Sequence, residues 1–141
     1  FVVSANADVG TSNNRGHPLQ RLQIIKGWVN ADGHFEQSVV DVAGDANNGA
    51  GVDTNTCTAY GEGFAALCGV WEDSDFNANQ DAVYYARVIE NPSCRWSTRM
   101  CLGFDKENRP DACENPRIPA TIQERAWTAP IWFEATRAEM P

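Results

Sequence analysis

Between Asp81 and Cys101 the chain reads DAVYYARVIENPSCRWSTRMC, and this stretch limits the possible folds more than any other. Ala82 to Ile89 is rich in β-branched and aromatic residues. Val83, Tyr85, Arg87 and Ile89 alternate with Tyr84, Ala86 and Val88, the period-2 pattern of a strand with two distinct faces. Asn91-Pro92 stops the run, because proline has no N–H to give to a ladder. Cysteines at 94 and 101 then bracket Arg95-Trp96-Ser97 in what reads as a further extended segment.

Other segments repeat the pattern. Phe1 to Ala5 is a short apolar strand, followed by a polar loop from Asn6 to Pro18. Arg21 to Val29 places Leu22, Ile24, Lys26 and Trp28 on one face and Gln23, Ile25 and Val29 on the other. Asn30-Ala31-Asp32-Gly33 turns the chain, and Phe35 to Val42 returns as a partner. After a Gly/Asn/Asp loop from Ala43 to Asp53 come strands around Cys57 and Cys68. Thr121 to Phe133 closes the set, with Pro130 marking an edge or a break between two short strands. One or two helical turns over Ala120 to Trp127 are the alternative there.

Seven or eight strands with no amphipathic helix predict an all-β fold, an antiparallel β-sandwich with long loops. A small closed barrel is the alternative. Residues 1–133 form one domain, and Glu134 to Pro141 is a tail, frayed or a helical stub. The chain starts at Phe1 in a strand-like segment with no initiator Met and no visible signal peptide, so a processed form or a fragment of a longer protein is expected.

A net charge of −8 and a pI near 4.6 argue against nucleic acid and anionic membrane surfaces as partners. No run of 18 apolar residues offers a membrane span. The cysteines at 57, 68, 94, 101 and 113 include no C-x-x-C pair, and there are only two histidines. Disulfides in an oxidising compartment are therefore expected rather than zinc. A hairpin centred on Glu62-Gly63 would set Cys57 directly opposite Cys68, at a separation that a disulfide spans. For the others, Cys94–Cys101 would staple the segment around Trp96, while Cys101–Cys113 would close a polar loop. The first is preferred, leaving Cys113 as the odd thiol.

Candidate chemistry is sparse. Asp73, Asp75 and Asp81 lie in an Asp/Asn-rich loop whose alternating oxygens suit Ca²⁺. That loop lacks the central Gly and terminal Glu of an EF-hand, and Asp and Asn also serve simply as turn formers. Asp41, Asp45, Asn47, Asn48 and Asp53 pose the same choice. His17 and His34 have no metal-binding companions in sequence, and Ser97 has no nucleophile-elbow motif or positioned base. Glu124 and Glu134 flank an aromatic cluster, without spacing that marks a glycosidase pair. The tryptophans at 28, 71, 96, 127 and 132 read as core or inter-sheet residues; exposed, they would form a sugar-stacking platform. Arg21, Lys26, Arg87, Arg95 and Arg125 are cations inside strand-like runs. Each must snorkel, pair with a carboxylate or reach an anionic group elsewhere.

The segments PLQRLQIIKGWVNADG, VVDVAGDANNGAGVD, CGVWEDSDFNANQDAVYYARVIENPSCRWSTRMC and PATIQERAWTAPIWF resemble the C-terminal part of a bacterial family, domain-of-unknown-function family 3604. The resemblance runs from Phe1 to about Phe133. It implies a longer exported parent, periplasmic or secreted, related to the polymerase-and-histidinol-phosphatase metallohydrolases. Their metal ligands lie in an amino-terminal His-rich motif that this chain lacks, so no ligand carries over and no cofactor is expected here beyond Ca²⁺. Where the family pattern is Asp-Pro-Asp-Phe-Asp-Pro, this chain has Asp73-Ser74-Asp75-Phe76-Asn77-Ala78, which weakens a rigid cation loop. The implied role is a non-catalytic β domain packed on the catalytic domain of the same polypeptide, with Lys26, Arg95 and Arg125 reaching its cleft. A carbohydrate- or Ca²⁺-binding module is the alternative.

Overall fold

The computed structural model describes residues 1–13 and 15–136. The proposed tail thus falls mostly outside the described residues. The centre is an antiparallel sheet built on β2 (Leu19–Val29), β3 (Phe35–Gly44) and β7 (Ala82–Glu90). β2 lies between β3 and β7. The far edge of β7 is covered by two short strands, β10 (Arg125–Trp127) and β11 (Ile131–Phe133). Pro130 falls in the gap between them, as its missing N–H predicts. Thr128 keeps the ladder continuous there: its backbone N–H donates to the Ala86 carbonyl, and its hydroxyl accepts from the Ala86 N–H at 3.0 Å.

A two-stranded ribbon of β1 (Val2–Asn6) and β6 (Ala66–Val70) lies over one face of this sheet. Leu19, Leu22 and Leu67 are the buried centre of that contact, with Val3, Ala5, Val42, Ala43 and Val88 packed around them. Gly69 permits the approach, because a Cβ there would stand 2.7 Å from the Val42 carbonyl oxygen. The architecture is all-β and layered, as expected. The sheet does not close, so the barrel alternative is excluded.

Two expectations about the middle of the chain need correction. The hairpin between β4 (Gly51–Asp53) and β5 (Thr58–Tyr60) turns through Thr54 to Cys57, not through Glu62-Gly63. Asp53 organises it by accepting from the Asn55 N–H at 2.8 Å and the Thr56 hydroxyl at 3.2 Å. Cys57 completes the turn with φ of 54°. Glu62-Gly63 instead crosses the molecule, its Glu62 carbonyl held by the side-chain amides of Asn48 and Asn91. Cys57 and Cys68 are therefore not opposed. Cys68 faces Ser4 across β6 and β1, and is free and exposed.

The segment after Cys94 is not extended. Trp96–Leu102 forms a short helix, α1, between β8 (Ser93–Cys94) and two 3₁₀ turns at Lys106–Asn108 and Asp111–Glu114. β8 pairs with β9 (Thr121–Ile122), so the helical alternative for Ala120 to Trp127 does not occur. Cys94, buried on β8, bonds to Cys57. Cys101, in α1, bonds to Cys113 in the second 3₁₀ turn. The preferred Cys94–Cys101 bridge fails because α1 carries Cys101 toward that turn. Cys68, not Cys113, is the odd thiol.

Candidate functional site

Two of the singled-out side chains, Lys26 and Asp73, meet on the inner face of the sheet beside Tyr84, which sequence reasoning missed as a site residue. Lys26 and Tyr84 are register partners on β2 and β7, so their side chains point the same way. The loop after β6 brings Asp73 down onto them. Asp73 Oδ2 lies 2.6 Å from Lys26 Nζ and accepts from the Tyr84 hydroxyl at 2.7 Å. Lys26 also donates to the Asp75 carbonyl oxygen at 3.1 Å. Both charged side chains of the pair are only 7% exposed. The ammonium lies 5.2 Å from the Trp28 ring centroid, and Phe1 and Trp71 pack against Tyr84.

These contacts fix the protonation states. Burial pushes Asp73 upward. The bonds from Lys26, Tyr84 and the Asp75 N–H, together with the Lys26 charge, outweigh burial and hold it below the ordinary carboxylate range. Burial and the Asp73 acceptor push Tyr84 well above the ordinary phenol range. An ionised carboxylate and a neutral phenol, each committed to the other and to Lys26, form a pin between loop and sheet. Neither is poised for proton transfer at neutral pH.

The other candidates are dispersed. Asp75 holds the pin through its backbone, and Asp81 Oδ1 accepts from the Ala135 N–H at 2.7 Å. The structure thus does not gather Asp73, Asp75 and Asp81 around one point. No group of three His, Cys, Asp or Glu residues able to hold a metal exists among the described residues. Asp41 accepts from Gln23, and Asp45 and Asp53 cap their own turns. Glu124 precedes β10 and Glu134 follows β11, so they lie at opposite ends of β7, roughly 30 Å apart at strand rise. That is too far for a glycosidase pair. Ser97 lies in α1 rather than on a strand.

Lys26 is therefore occupied within the chain, while Arg95 and Arg125 make no ion pair among the described residues. Arg95 precedes α1, and its Nε is shielded from solvent without an acceptor among the described residues. Arg125 is exposed on β10. Arg21 lies 3.7 Å from Asp41, and Arg87 donates through Nε and Nη2 to Gln23 Oε1 at 2.9 and 2.6 Å. Gln23 passes the chain on to Asp41 at 2.6 Å.

This polar ladder crosses the outer face of the sheet, opposite the β1–β6 ribbon. The register puts Phe35, Val39, Trp127 and Trp132 on that same face, and they are 68, 46, 57 and 72% exposed. Phe35 lies across Gly27, whose added Cβ would stand 2.9 Å from the ring. Phe35 and Trp132 line a hollow of about 400 Å³ with Gly27 and Val83 among its other residues. The expectation that the tryptophans are core fails for Trp127 and Trp132, because no second layer covers this face among the described residues, and for Trp96, which is exposed on α1. Alternation in β7 could have located the outward positions. It could not have said which face stays bare.

A layered all-β domain with two disulfides and one bare aromatic face is thus defined. The chain belongs to the family described as "Protein of unknown function (DUF3604)", which it matches over residues 1–135. Neither the curated proteins nor the solved structures contain a match. Among the described residues no helix is long and apolar enough to cross a membrane, and the two disulfides belong to non-cytoplasmic chemistry.

Proposed function

We propose that this chain is a non-catalytic β domain of an exported, periplasmic or secreted, metal-dependent hydrolase, and that it packs on a catalytic domain carried by the same polypeptide. The observation that carries the reading is the bare outer face. Four large apolar side chains are exposed there beside a satisfied polar ladder, a composition that suits an interface better than a solvated surface. Of the three cations expected at a catalytic cleft, Arg95 and Arg125 make no ion pair among the described residues and are available for it, whereas Lys26 holds the fold through Asp73.

Oxidative footprinting of tryptophan tests the packing. Trp127 and Trp132 are expected to be modified in this chain alone and protected in the longer polypeptide. Equal modification in both would overturn the reading. The chain alone should show no phosphoesterase turnover with or without divalent metal, and turnover abolished by Arg125→Ala would refute the non-catalytic assignment. Glycan binding is the second reading, since Phe35 and Trp132 flank a hollow. Quenching of tryptophan fluorescence by glycans, lost in Trp132→Ala, would favour it instead.

A further inference from the structure

A second feature lies outside the sheet, in the disulfide-bonded loop region. A hollow of about 210 Å³ opens between α1, the second 3₁₀ turn and the β4–β5 turn. Its wall includes the Cys101–Cys113 bridge, the hydroxyl residues Ser97 and Thr54, the amide residues Asn55 and Asn115, and Arg109. Arg109 stands between the two 3₁₀ turns in extended backbone, with Pro110 after it.

Arg109 is the unusual member. Its Nε is shielded from solvent and has no acceptor, and the side chain makes no ion pair with any described residue. The chain has 19 acidic residues against 11 Lys and Arg, yet no Asp or Glu lines the hollow. Asp105, Glu107, Asp111 and Glu114 belong to the same loop, and none of them pairs with Arg109. In so acidic a molecule, an arginine kept apart from nearby carboxylates faces a hollow with one sign of charge. Guanidinium presents a planar fork that suits carboxylate and phosphate oxygens. Ser97 makes no hydrogen bond through its hydroxyl to any described residue, so it can donate to the same anion.

Size narrows the ligand. The hollow is larger than one inorganic ion requires and smaller than the roughly 300–1,000 Å³ of sites for drug-sized molecules. We propose that Arg109 and Ser97 form a binding site for a small organic anion, about one sugar ring or one amino acid in size, held by its carboxylate or phosphate group. This site is independent of the bare sheet face and of the role proposed for it.

Titration of the chain with glucuronate, glucose 6-phosphate, glucose and inorganic phosphate, followed by amide shifts in two-dimensional NMR, tests the proposal. Saturable shifts of the Ser97 and Arg109 amides are expected with glucuronate or glucose 6-phosphate, and which of the two binds better identifies the anionic group. Arg109→Gln should weaken binding by about tenfold or more. Ser97→Ala, a surface change with little effect on folding, should weaken it by a smaller factor. No saturable shift with either organic anion would overturn the site. So would glucose binding equally well, inorganic phosphate binding as tightly as both organic anions, or unchanged affinity in both variants.

Discussion

Lys26, on the middle strand of the sheet, has its charge met inside the fold by Asp73. A cation in the middle of the apolar run LQIIKGWV must snorkel, pair with a carboxylate or reach an anionic group elsewhere, and that much follows from the sequence alone. What sequence does not reveal is that it pairs, and that its partner is Asp73, which loop closure brings to within 2.6 Å. Lys26→Met leaves Asp73 buried without its cation and is expected to cost about 3–5 kcal/mol in denaturant unfolding. Adding Asp73→Asn should restore part of that loss, since the amide oxygen still accepts from Tyr84 without a charge. The same pin sets an acid limit. Folded Asp73 gives up its proton more readily than the unfolded carboxyl, whose ordinary value is 3.8. Its contribution is therefore complete above that value and is lost as pH falls through the lower folded one. Denaturation midpoints measured into the acid range should fall less steeply in Asp73→Asn than in the parent chain. At the alkaline end the sign reverses for Tyr84: its folded phenol holds the proton more tightly, so stability falls as pH climbs past the ordinary phenol value of 10.0.

Among the elements, those with strong alternation were legible and those set by one side-chain bond were not. β2, β3 and β7 follow from period-2 patterning, and the β10–β11 break follows from Pro130. The β4–β5 hairpin was misplaced because two glycines at 61 and 63 give a louder turn signal than Asp53. In fact Asp53 makes the turn. α1 was missed because seven residues carry too little helical period to read, and its far end is held by the Cys101–Cys113 bond. The two bridges should differ in worth. Cys57–Cys94 spans 37 residues and Cys101–Cys113 spans 12. Loop-closure entropy then assigns them about 4 and about 3 kcal/mol, so Cys94→Ser should lower the unfolding midpoint more than Cys113→Ser.

For the molecule as a whole, the decisive fact is that, among the described residues, a second layer covers only one face of the main sheet. The sequence predicted two layers correctly, but aromatic content alone suggested a richer interior than the fold has. Trp127 and Trp132 are outside because the β1–β6 ribbon lies on the opposite face, and Trp96 is outside because it starts the exposed helix α1. Phe35→Ser combined with Trp132→Ser is accordingly expected to change unfolding free energy by less than about 1 kcal/mol.

The pairing of Cys57 with Cys94 has a consequence for how the chain matures. Cys68 lies between them in sequence, so a chain oxidised from its amino end meets the wrong partner first. Before any fold exists, the shorter 57–68 loop also closes more readily, by roughly sixfold from chain statistics. Maturation would thus pass through a misbridged species that must be reshuffled, which makes it dependent on a thiol isomerase. Cys68→Ser removes the trap while leaving both native bridges intact. It should raise the yield of oxidative refolding without isomerase, as measured by the recovered native fraction.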